Sequence, residues 1–228
     1  MNPELYLCVR RKEGRIYTDD MVARLPEVPP GHPLRAEWQM RAASARRLIT
    51  YLSGFQKTMT ILELGCGNGW LASRMAQVSN TRVVGLERNT LELTQAARVF
   101  NGNGCVSWLE ADIFRAPFLD RRFNAIVIAS AIQYFPDVTG LIRALVRLLA
   151  PEGEIHIIDS PLYSAETRNK ARERTRTYYE NLGFPQMADH YHHHLLSSLD
   201  PYHPVTRYVP VAGSGDSPFP WICLSQGR

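Results

Sequence analysis

Between Ile61 and Gly69 the chain reads Ile-Leu-Glu-Leu-Gly-Cys-Gly-Asn-Gly, an apolar run that passes directly into three glycines at alternate positions. Apolar residues of this kind suit a buried strand, and Gly65 and Gly67 admit positive φ angles closed to other residues, so the chain can turn sharply there from strand to helix. No side chain guards such a turn, and its amides and carbonyls lie open to a ligand. The helix expected from about Trp70 aims its partly positive N-terminus at the same spot, which favours a carboxylate or phosphate.

Downstream, Thr81 to Leu86 reads as a second strand with Glu87 at its C-terminal end, eighteen positions after Gly69. An acid about 20 residues beyond such glycines can accept hydrogen bonds from both ribose hydroxyls, so adenosine is the expected half of the ligand. A dinucleotide fingerprint needs its third glycine where this chain has Trp70, and a P-loop needs Lys with Ser or Thr where it has Trp70-Leu71-Ala72. The first reading loses ground and the second fails.

The pattern Glu63-x-Gly65-x-Gly67-x-Gly69 resembles the first motif of the class I S-adenosylmethionine-dependent methyltransferases of small-molecule type. Four further segments match in order across roughly residues 59–160. Glu87 stands at the ribose-binding acid, and Glu110 to Phe114 resembles the segment whose acid, here Asp112, binds the adenine amino group while Ile113 covers the ring. Phe123 to Asp137 resembles the fourth strand and its loop, and Leu148 to Asp159 the helix end, turn and fifth strand. The resemblance implies S-adenosyl-L-methionine as cofactor, bound by Glu63, Gly65, Cys66, Gly67, Glu87, Arg88, Asp112, Ile113 and Ser130. Arg41, on the preceding helix, has two uses open to it: the methionine carboxylate or a surface ion pair.

The alternation of strands and helices from Met59 onward predicts an α/β fold, with right-handed crossovers and a mainly parallel sheet whose ligands bind at the carboxyl ends of its strands. With the resemblance this becomes a Rossmann-like, seven-stranded, mostly parallel sheet with helices on both faces. Val205 to Val211 and Trp221 to Ser225 would supply its antiparallel edge. Residues 1–56 are expected to form an N-terminal helical extension or cap, including a helix start at Thr18 and a helix from Ala36 to Leu52. Residues 57–228 form the cofactor-binding domain, with 160–205 as an acceptor-side cap. Within that cap a polar helix is expected from Ala165 to Leu182, ending at Gly183.

With 228 residues and 45% hydrophobic content, the chain has enough material for one well-buried core. Its longest apolar or small stretch, Ala125 to Ile132, falls far short of the ~20 residues that span a bilayer, and no basic-then-apolar leader opens it. A cytoplasmic protein without membrane partner is expected. Cys8, Cys66, Cys105 and Cys223 are scattered with no C-x-x-C pair, so reduced thiols and no metal site are expected. The net charge of +4 includes a basic run from Arg168 to Arg176, interleaved with glutamates as on a solvated helix face, and no nucleic-acid partner is expected. A monomer or homodimer is expected, and the resemblance of Ala131 to Asp137 to small-molecule members of the family implies a small-molecule acceptor.

For methyl transfer the acceptor must be held in line with the methyl–sulfur bond. An oxygen or nitrogen acceptor also sheds a proton, for which histidine is the usual base near neutral pH. His190, His192, His193 and His194 are conspicuous, and base, metal chelation and plain surface all remain open for them. Tyr134, in the loop after the fourth strand, is a candidate wall of the acceptor site, and with His190 and His193 it forms the candidate catalytic set. That loop carries neither the Asn/Asp-Pro-Pro-aromatic motif of base-amino methyltransferases nor a cysteine nucleophile. The function expected is methyl transfer to an oxygen or nitrogen of a small molecule. A non-catalytic adenosine-cofactor-binding module and a nicotinamide-dependent oxidoreductase are the alternatives.

Overall fold

The computed structural model describes residues 3–102, 104–211 and 216–225; Met1 and Asn2, which belong to the stretch read above for a leader, lie outside them. The sheet comprises β1 (Met59–Leu64), β2 (Thr81–Glu87), β3 (Val106–Glu110), β4 (Phe123–Ala129), β5 (Leu149–Ile158), β6 (Val205–Tyr208) and β7 (Trp221–Ser225), in the order β3-β2-β1-β4-β5-β7-β6. The first five strands pair in parallel. β7 runs antiparallel to β5, and β6 antiparallel to β7, which makes the two closing strands the antiparallel edge that the sequence led us to expect.

Period-two alternation along the strands feeds two cores, one on each sheet face. Leu62, Leu64, Ile126, Ile128, Ile155 and Ile157 pack with Val138, Leu141, Ile142, Leu145 and Leu148 of α6 (Val138–Leu148). On the opposite face Ile61, Val83, Ala125 and Val127 meet α3 (Arg35–Ser53) through Trp38, Ala45, Leu48 and Leu52, and α4 (Trp70–Met75) through Leu71 and Met75. The three- and four-residue spacing on α3 is thus its buried stripe. α2 (Asp19–Arg24) starts at Thr18, whose hydroxyl caps Met21 N–H, and adds Val22 to the same core.

α5 (Thr90–Val99) is capped by Asn89 and α7 (Ala165–Leu182) by a Ser164–Thr167 capping box, and Gly183 at φ +90° ends α7. A third, smaller core joins α1 (Pro3–Lys12) to α7 and the 3₁₀ turn Pro185–His190 through Val9, Tyr179 and Met187. Among the described residues no helix is long and apolar enough to cross a membrane, and all four cysteines are free thiols.

Candidate active site

The elements converge on a cavity of about 940 Å³ at the carboxyl ends of β1, β2 and β4. Its floor is the glycine turn, with Gly65, Gly67 and Gly69 at φ +74°, +52° and +78°. A Cβ on Gly69 would lie 2.7 Å from Ala96 Cβ and collide with the Trp108 ring. Gly69 therefore provides the close packing that a dinucleotide motif assigns to a glycine one place later, which frees Trp70 to cover the cavity and meet Trp38 edge-on at 5.5 Å.

Glu63, Gly65, Cys66, Gly67, Glu87, Arg88, Asp112, Ile113, Ser130, Arg41 and Tyr134 all line this one cavity. Glu87 is fixed in place by three backbone donors: Gly67 N–H to Oε2 at 3.0 Å, and Arg88 and Asn89 N–H to Oε1 at 2.7 and 3.0 Å. Asp112 accepts from Phe114 N–H at 3.1 Å and faces Arg88 at 3.8 Å, while Ile113 is buried beside it. Ser130, at φ +52°, donates its hydroxyl to the Asp159 carbonyl at 2.9 Å. Arg41 lies over the Trp38 ring and pairs with Glu37 at 2.9 Å, and Glu37 also takes Arg15 at 2.6 Å. Burial opposes the Glu37 charge, but the two arginines bring its pKa down to about 2.

The histidines lie elsewhere. His190 ends the 3₁₀ turn, and neither it nor His193 is among the cavity-lining residues. His193 is buried against α7 with its Nε2 2.9 Å from Thr175 Oγ1, and His194 Nε2 sits 3.2 Å from the Ile132 carbonyl. The His192 amide donates to the Gln133 carbonyl at 2.7 Å. The segment is thereby fastened to α7 and to the loop after β4, and burial lowers the pKa of all three rings.

Sequence reasoning missed α1, Tyr6, Arg10 and Glu92. Pro3 at the helix start, Glu4 behind it and Arg10, Arg11 and Lys12 in the last turn are the signals that mark α1. The Tyr6 hydroxyl donates to Glu92 Oε2 at 3.3 Å, and its ring meets Tyr134 edge-on at 5.9 Å, so α1 roofs the cavity. Burial, strongest among several influences, raises the Glu92 pKa to about 7. Burial also drives the Cys66 thiol well up, which leaves it protonated and unreactive.

A separate group, Glu154, His156 and Cys223, holds its ligand-type atoms within 4.8 Å of one another at the β5–β7 edge. Arg207 already bonds Glu154 Oε1 at 3.0 Å and Tyr51 bonds Oε2 at 2.7 Å, so the carboxylate has its cation.

The glycine turn and the two acids that follow it stand together in one cavity at the carboxyl ends of this sheet, the arrangement expected of a nucleotide-cofactor domain. Residues 61–153 match the family model described as a methyltransferase domain, in agreement with the resemblance to class I S-adenosylmethionine-dependent methyltransferases carried by the motifs. It is 28% identical over 189 residues to a sterol 24-C-methyltransferase of Aspergillus fumigatus, a match covering 73% of this chain and 48% of that protein. To a 2-phytyl-1,4-naphtoquinone methyltransferase of Synechococcus elongatus it is 32% identical over 119 residues, 50% of this chain and 51% of that one. The chain thus spans about half the length of these curated relatives. In fold it is similar to the CurJ carbon methyltransferase (TM-score 0.65, 14% identity, 97% of this chain and 66% of that chain). A geranyl diphosphate C-methyltransferase of Streptomyces coelicolor is also similar in fold (TM-score 0.63, 15% identity, 86% and 81%).

The cavity fits S-adenosylmethionine. Beside the bare glycine turn, Glu63 Oε2 and Asn89 Nδ2 are buried polar atoms without hydrogen-bond partners, and both residues line the cavity. Buried orphans of this kind are rare unless a ligand completes them.

Proposed function

We propose that this chain transfers the methyl group of S-adenosylmethionine to a carbon or oxygen atom of a small, electron-rich, unsaturated molecule. The observation that carries this is continuity: the cavity over the glycine turn runs on into a compartment walled by Tyr6, Tyr134, Tyr163, Tyr178, Tyr179 and Tyr191. Its volume lies at the upper end of the roughly 300–1,000 Å³ of small-molecule sites, room for a cofactor and a modest second molecule. α1 and residues 160–205 serve as the cap over that second molecule.

Glu87 would hold the ribose and Asp112 and Ile113 the adenine. Ser130, Glu63 and the glycine turn would hold the amino acid end, with Arg41 beside its carboxylate. The cofactor, when bound, supplies an electrophilic methyl group on a sulfonium. The tyrosine rings orient a flat or unsaturated acceptor, and the roof of α1 excludes water. Burial, first among the causes, raises the pKa of Tyr6, Tyr134, Tyr163, Tyr179 and Tyr191, so these hydroxyls stay protonated and position rather than deprotonate. Glu92, titrating near neutrality in the same cavity, is the group suited to take a proton from an enolic or phenolic acceptor. The expected oxygen or nitrogen acceptor with a histidine base is the weaker reading, since among the described residues no histidine lines the cavity, while the Aspergillus fumigatus relative is named for a carbon acceptor.

Incubation with cofactor carrying a carbon-13 methyl group and fractionated metabolites tests this. The labelled product should show a C–CH₃ or O–CH₃ resonance. An N–CH₃ product overturns the acceptor class. Intact binding of S-adenosylhomocysteine with no labelled product in any fraction favours the non-catalytic binding module.

A further inference from the structure

Six side-chain polar atoms among the described residues are buried without a hydrogen-bond partner, and four of them, Arg10 Nε, Glu63 Oε2, Asn89 Nδ2 and Gln133 Oε1, belong to residues that line the cavity. Glu63 and Asn89 flank the glycine turn, where the cofactor accounts for them. Arg10 and Gln133 belong to other elements, the last turn of α1 and the turn after β4.

Arg10 is a charged donor in poor company. Its guanidinium lies over the Tyr6 ring at 5.6 Å, and the carboxylate paired with it, Glu13, is 3.8 Å away. Glu13 is already engaged by Arg15 at 3.2 Å and by the Tyr178 hydroxyl at 2.7 Å. The titratable groups facing Arg10 are Tyr6, Glu92, Tyr134 and Glu13; the two tyrosines are neutral, and Glu92 Oε2 accepts from Tyr6. A buried charged donor left unmade costs more than a neutral one, and the natural complement of a guanidinium is an anionic oxygen. Gln133 complements it: its Nε2 amide donates to the Ser130 carbonyl at 2.8 Å, which leaves Oε1 to accept a hydroxyl or N–H.

We propose that Arg10 is the specificity-determining residue of the acceptor site, holding a carboxylate or comparable anionic oxygen of the acceptor, with Gln133 accepting a hydroxyl from the same molecule. The substrate class is then a small unsaturated organic acid that also carries a hydroxyl group. This rests on the methyl-transfer reading and deepens it. The roof helix thus reads the acceptor while the sheet reads the cofactor.

The test uses the full chain saturated with S-adenosylhomocysteine, titrated by calorimetry with 4-hydroxybenzoate and, as its neutral twin, methyl 4-hydroxybenzoate. The acid should bind more tightly than the ester by roughly tenfold or more, the worth of one charge-assisted hydrogen bond. Arg10→Met should abolish that preference with S-adenosylhomocysteine affinity unchanged, and Arg10→Lys, which keeps charge but loses Nε, should retain part of it. Equal affinity for acid and ester, no heat from the acid at millimolar concentration, or an undiminished preference in Arg10→Met overturns the proposal. If Arg10→Met loses affinity for S-adenosylhomocysteine as well, the comparison passes to Arg10→Lys, and a full preference there also overturns it. Failure of the parent chain to bind S-adenosylhomocysteine is a different result, and it sinks the methyl-transfer reading itself.

Discussion

Replacing Gly69 and Gly67 separately by alanine distinguishes the two reasons a glycine is needed in this turn. Both sit in the left-handed region, at φ +78° and +52°, where a Cβ costs roughly 1–2 kcal/mol. At Gly67 that is nearly all: the added methyl would lie 3.6 Å from Glu92 Oε2, ordinary contact distance. At Gly69 the methyl would overlap Trp108 and stand 2.7 Å from Ala96 Cβ, so strand β3 or helix α5 has to move. Overpacking of that kind costs roughly 1–3 kcal/mol more. Gly69→Ala should therefore lose about 2–5 kcal/mol and Gly67→Ala about 1–2 kcal/mol. For a chain of this size that is a fall in Tm of roughly 4–20 °C against roughly 2–8 °C. Urea unfolding followed by tryptophan fluorescence measures both, with Trp108 reporting locally on Gly69. Equal losses in the two variants would refute the argument that Gly69 is there for close packing.

Glu92 gives a pH test. Burial raises its pKa from 4.5 to about 7, so its contribution to stability is fully present below about pH 4.5 and is lost as pH rises through 7. His156, pushed down by burial to about 4, works in the opposite sense, its contribution present above about 6.5 and lost as pH falls through 4. The two nearly cancel in the parent, so the informative quantity is a difference: Glu92→Gln should gain on the parent between pH 5 and pH 8 by up to about 3 kcal/mol. Parallel pH profiles from urea unfolding would count against a buried, protonated Glu92. Glu87→Gln leaves at least one of the three backbone donors without its acceptor, and calorimetry should show S-adenosylhomocysteine binding weakened roughly tenfold or more; unchanged affinity would remove Glu87 from the ribose site. Arg10→Met, described above, completes the set.

Features whose cause is local were legible in the sequence. The Ser164 box and Gly183 bracket α7 where its polar run begins and ends, and Thr18 starts α2, because a cap is a contact between near neighbours. The glycine turn, Glu87 and Asp112 stood out in the sequence by their spacing, and the structure brings them to one cavity. β5 was less so. It begins at Leu149, paired with Phe123, and its register with β4 shifts before Glu154 meets Ala125. A chain with Pro151, Glu152 and Gly153 in that stretch reads as a turn followed by a strand. The roof was hidden for a different reason: Tyr6 meets Glu92 across 86 positions, and no local pattern announces such a pairing. The histidines were ambiguous in the sequence. Four in five positions left base, metal and plain surface open, and in the structure His193 and His194 are buried and bonded to α7 and to the loop after β4.

The distribution of packing ties these points together. The two cores on the sheet faces draw on the strands and on α2, α3, α4 and α6, whereas α1 shares with α7 a small cluster around Val9, Tyr179 and Met187, joined by the Tyr6–Glu92 bond and, just past the helix, by Tyr178 to Glu13. Elements with few buried contacts open at the lowest free energy, well before the chain unfolds. A cavity roofed by such an element can exchange a cofactor without disturbing the sheet that grips it. The same roof carries Arg10, whose Nε lacks a partner until something anionic lies beneath it. An acceptor that supplies that partner binds the closed state better than the open one, and a ligand shifts an equilibrium only by such a difference. On the proposed role of Arg10, closure and recognition would share that one residue.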